Sequence, residues 1–291
     1  MRGIWPGVAA AVALWLPAVP ARAGVLIVVE PGIEAYSEAL DGVTAVLQPG
    51  SFRVHELRSG APGLQEALGA RDVQAVVAIG SRAVSEVNGR RPDIPLVAAM
   101  TLLGRAPDDT PGVHIDVPLG TQLKLMRSLW PRRVRVGLVR NPLRCRHTAE
   151  ALESQARKEG YTPIVRECDG PAKLMKTLAD FRGRADFLLC FPDQDLYNPM
   201  TIQPLVLAAI EQRLPIIGFS AAFVRAGAAA GIFPDYREIG RQSGEMVLRR
   251  LAGDERRSED PRTVRVAVNQ RILRLLGVDF LAESIRAEVF R

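Results

Sequence analysis

Cysteine is scarce in this sequence, with three residues in 291, Cys145, Cys168 and Cys190, all in the second half. So small and odd a number builds no disulfide framework. One bridge is permitted, and Cys145 with Cys168 is the pair that neighbouring strand ends would allow. Cys190 stands inside the apolar run FLLC and reads as a small buried hydrophobe. Long apolar runs are missing too: beyond the N-terminus no segment is long enough to span a bilayer. No low-complexity tract argues for disorder. Phosphate cradles are absent, since no strand is followed by GxGxxG and no GxxxxGK[ST] occurs. There is no GxSxG nucleophile elbow. His55, His114 and His147 are far apart, and none has a metal-ligand spacing. The expectation is no cofactor, no metal and no catalytic group.

What is present begins with residues 1–23, MRGIWPGVAAAVALWLPAVPARA. Arg2, the apolar centre 8–16 and the small-x-small triplet Ala21-Arg22-Ala23 have the form of a cleaved secretory signal. The centre is too short to cross a membrane, and Pro17 and Pro20 break it. The mature chain is therefore expected to be soluble, exported and periplasmic. The formal charge of +6 is spread thinly. Arg132-Arg133-Arg135 and Arg249-Arg250 read as helix or strand ends on a solvated surface, so no nucleic-acid partner is expected.

Along the chain, short β-branched and aliphatic runs alternate with segments of helical period. The first half holds VLIVV (25–29), FRVHEL (52–57), AVVAI (75–79) and PLVAA (95–99). The second holds VRVGLV (134–139), PIVREC (163–168), DFLLCF (186–191) and PIIGF (215–219). Helices are predicted at 34–47, 61–68, 82–87, 146–159, 171–181 and 201–212. One βαβ series is thus written twice. Apolar strands joined by helices call for parallel sheets covered on both faces. The fold class is α/β, with two doubly wound lobes joined by a hinge near 117–129. The first lobe is expected to hold 24–117 and about 236–255, the amphipathic helix 236–251 crossing back to it. The second takes 118–235 and about 262–291, including the strand TVRVAV (263–268) and a helix at 270–276.

In open parallel sheets ligands bind beyond the carboxyl ends of the strands, where helix N-termini offer unpaired N–H groups. Those ends carry Glu30, Ser81, Arg82 and Thr101 in the first half, and Asn141, Asp193, Asp195, Phe219, Ser220 and Asp235 in the second. A lone Ser or Thr there either caps its helix or joins the amides in holding a carboxylate. Asp193 and Asp195 are open to three roles: an acid–base pair, a partner for a ligand ammonium, or, for Asp195, a cap. Arg82 either forks onto a carboxylate or lies solvated. Glu30 meets a ligand amine or caps a loop, and Tyr36 reads as a helix-face residue. The candidate ligand-binding set is Ser81, Arg82, Thr101, Asn141, Asp193, Phe219, Ser220 and Asp235.

YSEALDG (36–42), AVVAIGSRAV (75–84), IPLVAAM (94–100), DVPLGTQLKLMRSLWP (116–131), FPDQDLYNP (191–199) and GFSAAFVRAGAAAGIFPDYREIGRQSGEMVLRRLAG (218–253) together resemble a known family. It is the ABC-transporter substrate-binding proteins often linked to uptake of tryptophan or other aromatic amino acids. The resemblance covers nearly the whole mature chain, and its most specific stretch runs from Arg225 to Gln242. It implies a type I periplasmic-binding-protein fold with three crossovers, a small ligand closed between lobes, and an ABC permease as partner. Ser81, Thr101, Asn141, Asp193 and Ser220 would by position be cleft residues. Where better-known members have Gly-Thr-Pro-Ala this chain has Gly80-Ser81-Arg82-Ala83, which brings a charged group to that strand end. The mechanism implied is hinge closure by a monomer. Docking on a receptor kinase, a non-binding scaffold and an exported enzyme are the rival functions.

Overall fold

A computed structural model describes residues 24–91, 93–102, 110–145, 147–255, 257–279 and 287–290. The expected leader, 1–23, lies outside them. The first sheet is built from β1 (Val25–Val29), β2 (Phe52–Glu56), β3 (Ala75–Ile79), β4 (Leu96–Thr101) and β5 (Gly112–His114). Helices α1 (Glu34–Thr44), α2 (Leu64–Gly69) and α3 (Ser81–Arg90) connect its first four strands. β1, β3 and β4 are buried at every residue. Val25, Ile27 and Val29 feed one apolar cluster while Leu26 and Val28 feed another. Successive side chains point to opposite faces, so a strand apolar throughout is what two covered faces require.

The second half runs α4 (Leu119–Leu129), β6 (Arg135–Arg140), α5 (Ala149–Lys158), β7 (Thr162–Glu167), α6 (Pro171–Ala179), β8 (Phe187–Leu189), α7 (Ile202–Glu211), β9 (Ile216–Gly218), α8 (Ala221–Arg225) and β10 (Ala230–Pro234). After these come α9 (Tyr236–Leu251), β11 (Ser258–Glu259), β12 (Val264–Asn269), α10 (Gln270–Leu276) and β13 (Ala287–Phe290). The strand order is β11-β5-β4-β3-β1-β2 in one sheet and β13-β12-β10-β9-β8-β6-β7 in the other. The first is parallel throughout, and in the second β12 runs antiparallel to β10.

The chain passes between the sheets three times: at 115–118 between β5 and α4, at Asp235 between β10 and α9, and at 260–263 between β11 and β12. The last two passages are tied together, Asp235 N–H donating to the Thr263 carbonyl at 2.9 Å. α9 packs on α1 with almost no space between backbones. A side-chain carbon at Gly240 would lie 1.9 Å from the Ala39 carbonyl oxygen, and one at Gly42 would lie 1.9 Å from that of Arg237. This contact fixes α9 to the first lobe although the strand preceding it belongs to the second.

Two expectations need correction. The stretch 117–129, read as the joint between lobes, is mostly the helix α4, whose Leu123, Met126 and Leu129 are buried in the second lobe's core. Its apolar residues recur at helical spacing, and only the residues just before it cross over. The pairing allowed for Cys145 and Cys168 is absent: all three cysteines are free thiols, Cys168 donating to the Gly170 carbonyl at 3.2 Å.

Candidate functional site

Where the second sheet's strands end under the crossovers, the chain encloses a cavity of about 460 Å³. Its walls come from strand ends, from two of the passages between sheets and from two loops of the second lobe. Leu102 follows β4, and Asp116, Val117, Pro118 and Leu119 form the first passage between sheets. Asp260 comes from the third passage. Asn141, Arg144, Cys145 and His147 come from the loop after β6, and Phe191, Pro192, Asp193, Leu196 and Tyr197 from the loop after β8. Gln122, Val139 and Leu152 complete the lining.

Two polar residues hold these loops in place. Asn141 starts a turn at an Asn-Pro step, its Oδ1 accepting the Leu143 N–H at 3.0 Å while its carbonyl accepts Arg144 and Cys145 N–H. That leaves the Asn141 Nδ2 group buried with no hydrogen-bond partner among the described residues, on a residue 3% exposed. An unmet buried donor costs roughly 1–3 kcal/mol, so this one has a standing demand for an acceptor. Asp193 folds its loop in the same fashion, Oδ1 accepting the N–H groups of Asp195 and Leu196 at 2.8 and 3.1 Å.

The apolar wall is braced from behind. Tyr197, buried, packs its ring 5.8 Å from those of both Phe219 and Phe223, and these two meet edge-on at 5.3 Å. Burial first, and then the neighbouring Cys190, hold the Tyr197 phenol well above its usual ionisation range. Burial also pushes the Cys145 thiol up, with His147 N–H and Arg140 pulling the other way. The site is thus a lined hollow where, among the described residues, the Asn141 Nδ2 group and the Tyr197 hydroxyl have no hydrogen-bond partner, with aspartates on two sides and an aromatic backing.

The description "ABC transporter substrate binding protein" belongs to the family model that matches residues 64–290. The chain belongs to this family. A curated relative, the tyrosine-binding protein of Clostridioides difficile, is 25% identical over 133 residues, which are 45% of this chain and 38% of that protein. The matched stretch thus spans well under half of the relative's length. Two solved structures share the fold. One is the ABC domain from Streptococcus pneumonia in complex with L-Trp, at TM-score 0.64 and 17% identity over 91% of this chain and 99% of that one. The other is the ligand-free, open structure of a substrate-binding protein with adhesive properties from Clostridium difficile. It has TM-score 0.70 and 17% identity over 92% and 98% of the two chains. The architecture is the two-lobed, type I periplasmic-binding-protein-like one.

Of the eight candidates in this substrate-binding protein, Asn141 and Asp193 line the cavity. Phe219 touches it only through Tyr197. The remaining five are outside the lining. Thr101 is fully buried, its Oγ1 3.1 Å from His114 Nδ1, and His114 Nε2 lies 3.2 Å from Ser258 Oγ. A bulge turns it there. Met100 has φ 58°, the register with β5 shifts between Ala99 and Thr101, and Ala99 and Met100 fall in one apolar cluster. Ser220 caps α8 by accepting Phe223 N–H at 3.1 Å, and Asp235 caps α9 by accepting Glu238 N–H at 3.0 Å. Arg82 is engaged with Glu30 at 2.8 Å and with the Arg58 carbonyl at 3.0 Å. Ser81 opens α3 after Gly80, whose φ of 95° and contact with the Tyr36 ring require glycine. Asp195 is paired with Arg144 at 2.6 Å.

Residue reading missed Asp116, Gln122, Arg144, His147, Tyr197 and Asp260 as site residues. Asp116 and Asp260 stand in crossovers, not at the ends of long strands. Asp116 opens the run DVPLGTQLKLMRSLWP at 116–131, quoted for its resemblance and not for its chemistry; Asp260 stands in none of the quoted runs.

Proposed function

We propose that this chain captures a free amino acid in the cavity under the crossovers and delivers it to an ABC permease after export. The observation that carries the reading is the unmet Asn141 Nδ2 donor in a hollow lined by Asp193, Asp116 and Asp260 and walled by Phe191, Leu196 and Tyr197. Such a site offers a donor for a carboxylate, acceptors for an ammonium and an apolar wall for a side chain. About 460 Å³ falls in the range of pre-formed small-molecule sites. The ligands named for the two relatives, tyrosine and L-Trp, agree with that division of labour. No chemistry is done on the ligand. Asp193 and Asp195, the one pair that suggested acid–base work, are engaged in turn formation and in an ion pair.

No helix among the described residues is long and apolar enough to cross a membrane, as a freely diffusing carrier requires. Closure of the two lobes around the ligand, as a monomer, is the expected cycle: a ligand shifts the population only as far as it touches both lobes. The test is thermal-shift and calorimetric titration against the twenty amino acids, together with mass spectrometry of small molecules that copurify. Saturable binding of one or a few supports the reading. A protein that binds none of them and copurifies with a different compound overturns the amino-acid assignment.

A further inference from the structure

We infer that Asp260 is a polar contact of the first lobe with the bound ligand, and that Gln242 is the residue that positions it. The inference rests on the proposed cavity and adds two residues that were not among the candidate ligand-binding set.

Asp260 sits in the third passage between sheets, a segment that by topology belongs to neither lobe. What decides its allegiance is α9. Gln242 is fully buried on that helix, donating Nε2–H to the Asp260 carbonyl at 3.1 Å and accepting the Arg262 N–H on Oε1 at 3.0 Å. One amide side chain thus clamps the backbone on both sides of Pro261. The flanking charges repeat the grip. Arg262 reaches Glu245 of α9 at 2.7 Å and Glu259 at 3.0 Å, and Glu259 also pairs with Arg249 of α9. α9 is itself locked to α1 through Gly240 and Gly42.

The backbone is therefore rigid with the first lobe as far as Arg262, and bending in this passage is confined to the residues beyond. Asp260 moves with the first lobe, yet it faces a cavity where Asn141 and Asp193, two of its polar groups, come from loops of the second; Asp116, on the first passage between sheets, is the other carboxylate of the lining. Among the described residues its carboxylate has no hydrogen-bond or ion-pair partner. A ligand ammonium lying between Asp193 and Asp260 bridges the lobes, and the bridge makes closure favourable. Gln242 touches no ligand and acts through the position of Asp260.

The test compares wild type, Asp260→Asn, Gln242→Met and the double variant, with L-tryptophan and L-tyrosine as probes. Affinity is read by calorimetry and closure by the ligand-induced fall in radius of gyration. Asp260→Asn should weaken binding roughly tenfold to a hundredfold and blunt closure. Gln242→Met should weaken it about fivefold alone and by less than twofold in the Asp260→Asn background, since both act on one contact. In the ligand-free protein, Gln242→Met should speed hydrogen exchange at the Arg262 amide while leaving β4 unchanged. Wild-type binding with unaltered affinity in Asp260→Asn, or additive losses in the double variant, overturns the inference and leaves the amino-acid reading standing. Unchanged exchange at Arg262 removes the role of Gln242. A wild type that binds neither probe nor any other amino acid overturns both readings together.

Discussion

The two lobes follow one plan but treat their strand ends differently. In the first, polar groups beyond β3 and β4 are met from within the protein, Thr101 by His114 and Arg82 by Glu30 and Arg58. In the second, the turn after β6 leaves a buried amide donor unmet, and the loop after β8 presents Asp193 to the same hollow. The contrast teaches that repeated topology does not repeat the site. In the proposed site the second lobe supplies Asn141 and Asp193, while the first contributes Leu102 and, through the crossovers, Asp116 and Asp260.

The largest effect tests the rigid half of this comparison. Gly240→Val sets a branched side chain where even one carbon would meet the Ala39 carbonyl at 1.9 Å, so α9 must move off α1. A stability loss of about 3 kcal/mol or more is expected in urea unfolding. A loss below about 1 kcal/mol would show that α9 is not fixed to the first lobe.

Next come the recognising groups of the second lobe. Asn141→Asp keeps the Oδ1 acceptor for Leu143 and exchanges the unmet donor for a second acceptor. Asp193→Asn keeps the acceptor for Asp195 and Leu196 and removes the charge, whereas alanine would unmake the turn as well. Each is expected to weaken amino-acid binding by roughly tenfold or more, with stability moved by about 1 kcal/mol or less. Calorimetry beside thermal unfolding separates the two quantities, and unaltered affinity in both variants would empty the site of its meaning.

Smaller effects belong to residues whose bonds are already made. Thr101→Val strands His114 Nδ1, and Ser220→Ala uncaps α8, each costing roughly 1 kcal/mol of stability. Affinity in both should stay within about twofold of wild type. A large loss of binding in either would extend the site across the strand ends and erase the asymmetry.

Much of the fold could be read from the chain because the strands that build it are apolar along their whole length. VLIVV and AVVAI begin and end where β1 and β3 do, and the helix at 236–251 coincides with α9. The very short strands were not legible. β5 is three residues and β11 two, too few for any period, and their pairing depends on a passage that returns over a hundred residues later. The second-lobe lining of the candidate cavity was legible, because Asn141-Pro142 and Pro192-Asp193 announce turns after apolar runs. Thr101 was misleading for a local reason: the bulge at Met100 is set by backbone geometry that no residue type there signals. Asp260 was hidden because its place depends on Gln242, eighteen residues away and on a helix whose own place follows from two glycines.

Cys145 offers the most direct test of where the ligand sits. It lines the cavity and is half-buried, whereas Cys168 and Cys190 are buried, burial pushing the Cys190 thiol up to about 12. Because burial also raises the Cys145 thiol, little thiolate exists at neutral pH, and alkylation is best followed under mildly alkaline conditions, where its rate rises with pH. The account predicts modification at Cys145 alone, slowed about fivefold or more by a saturating amino acid that calorimetry shows to be bound. The same rate with and without that bound amino acid would place the ligand elsewhere and contradict it.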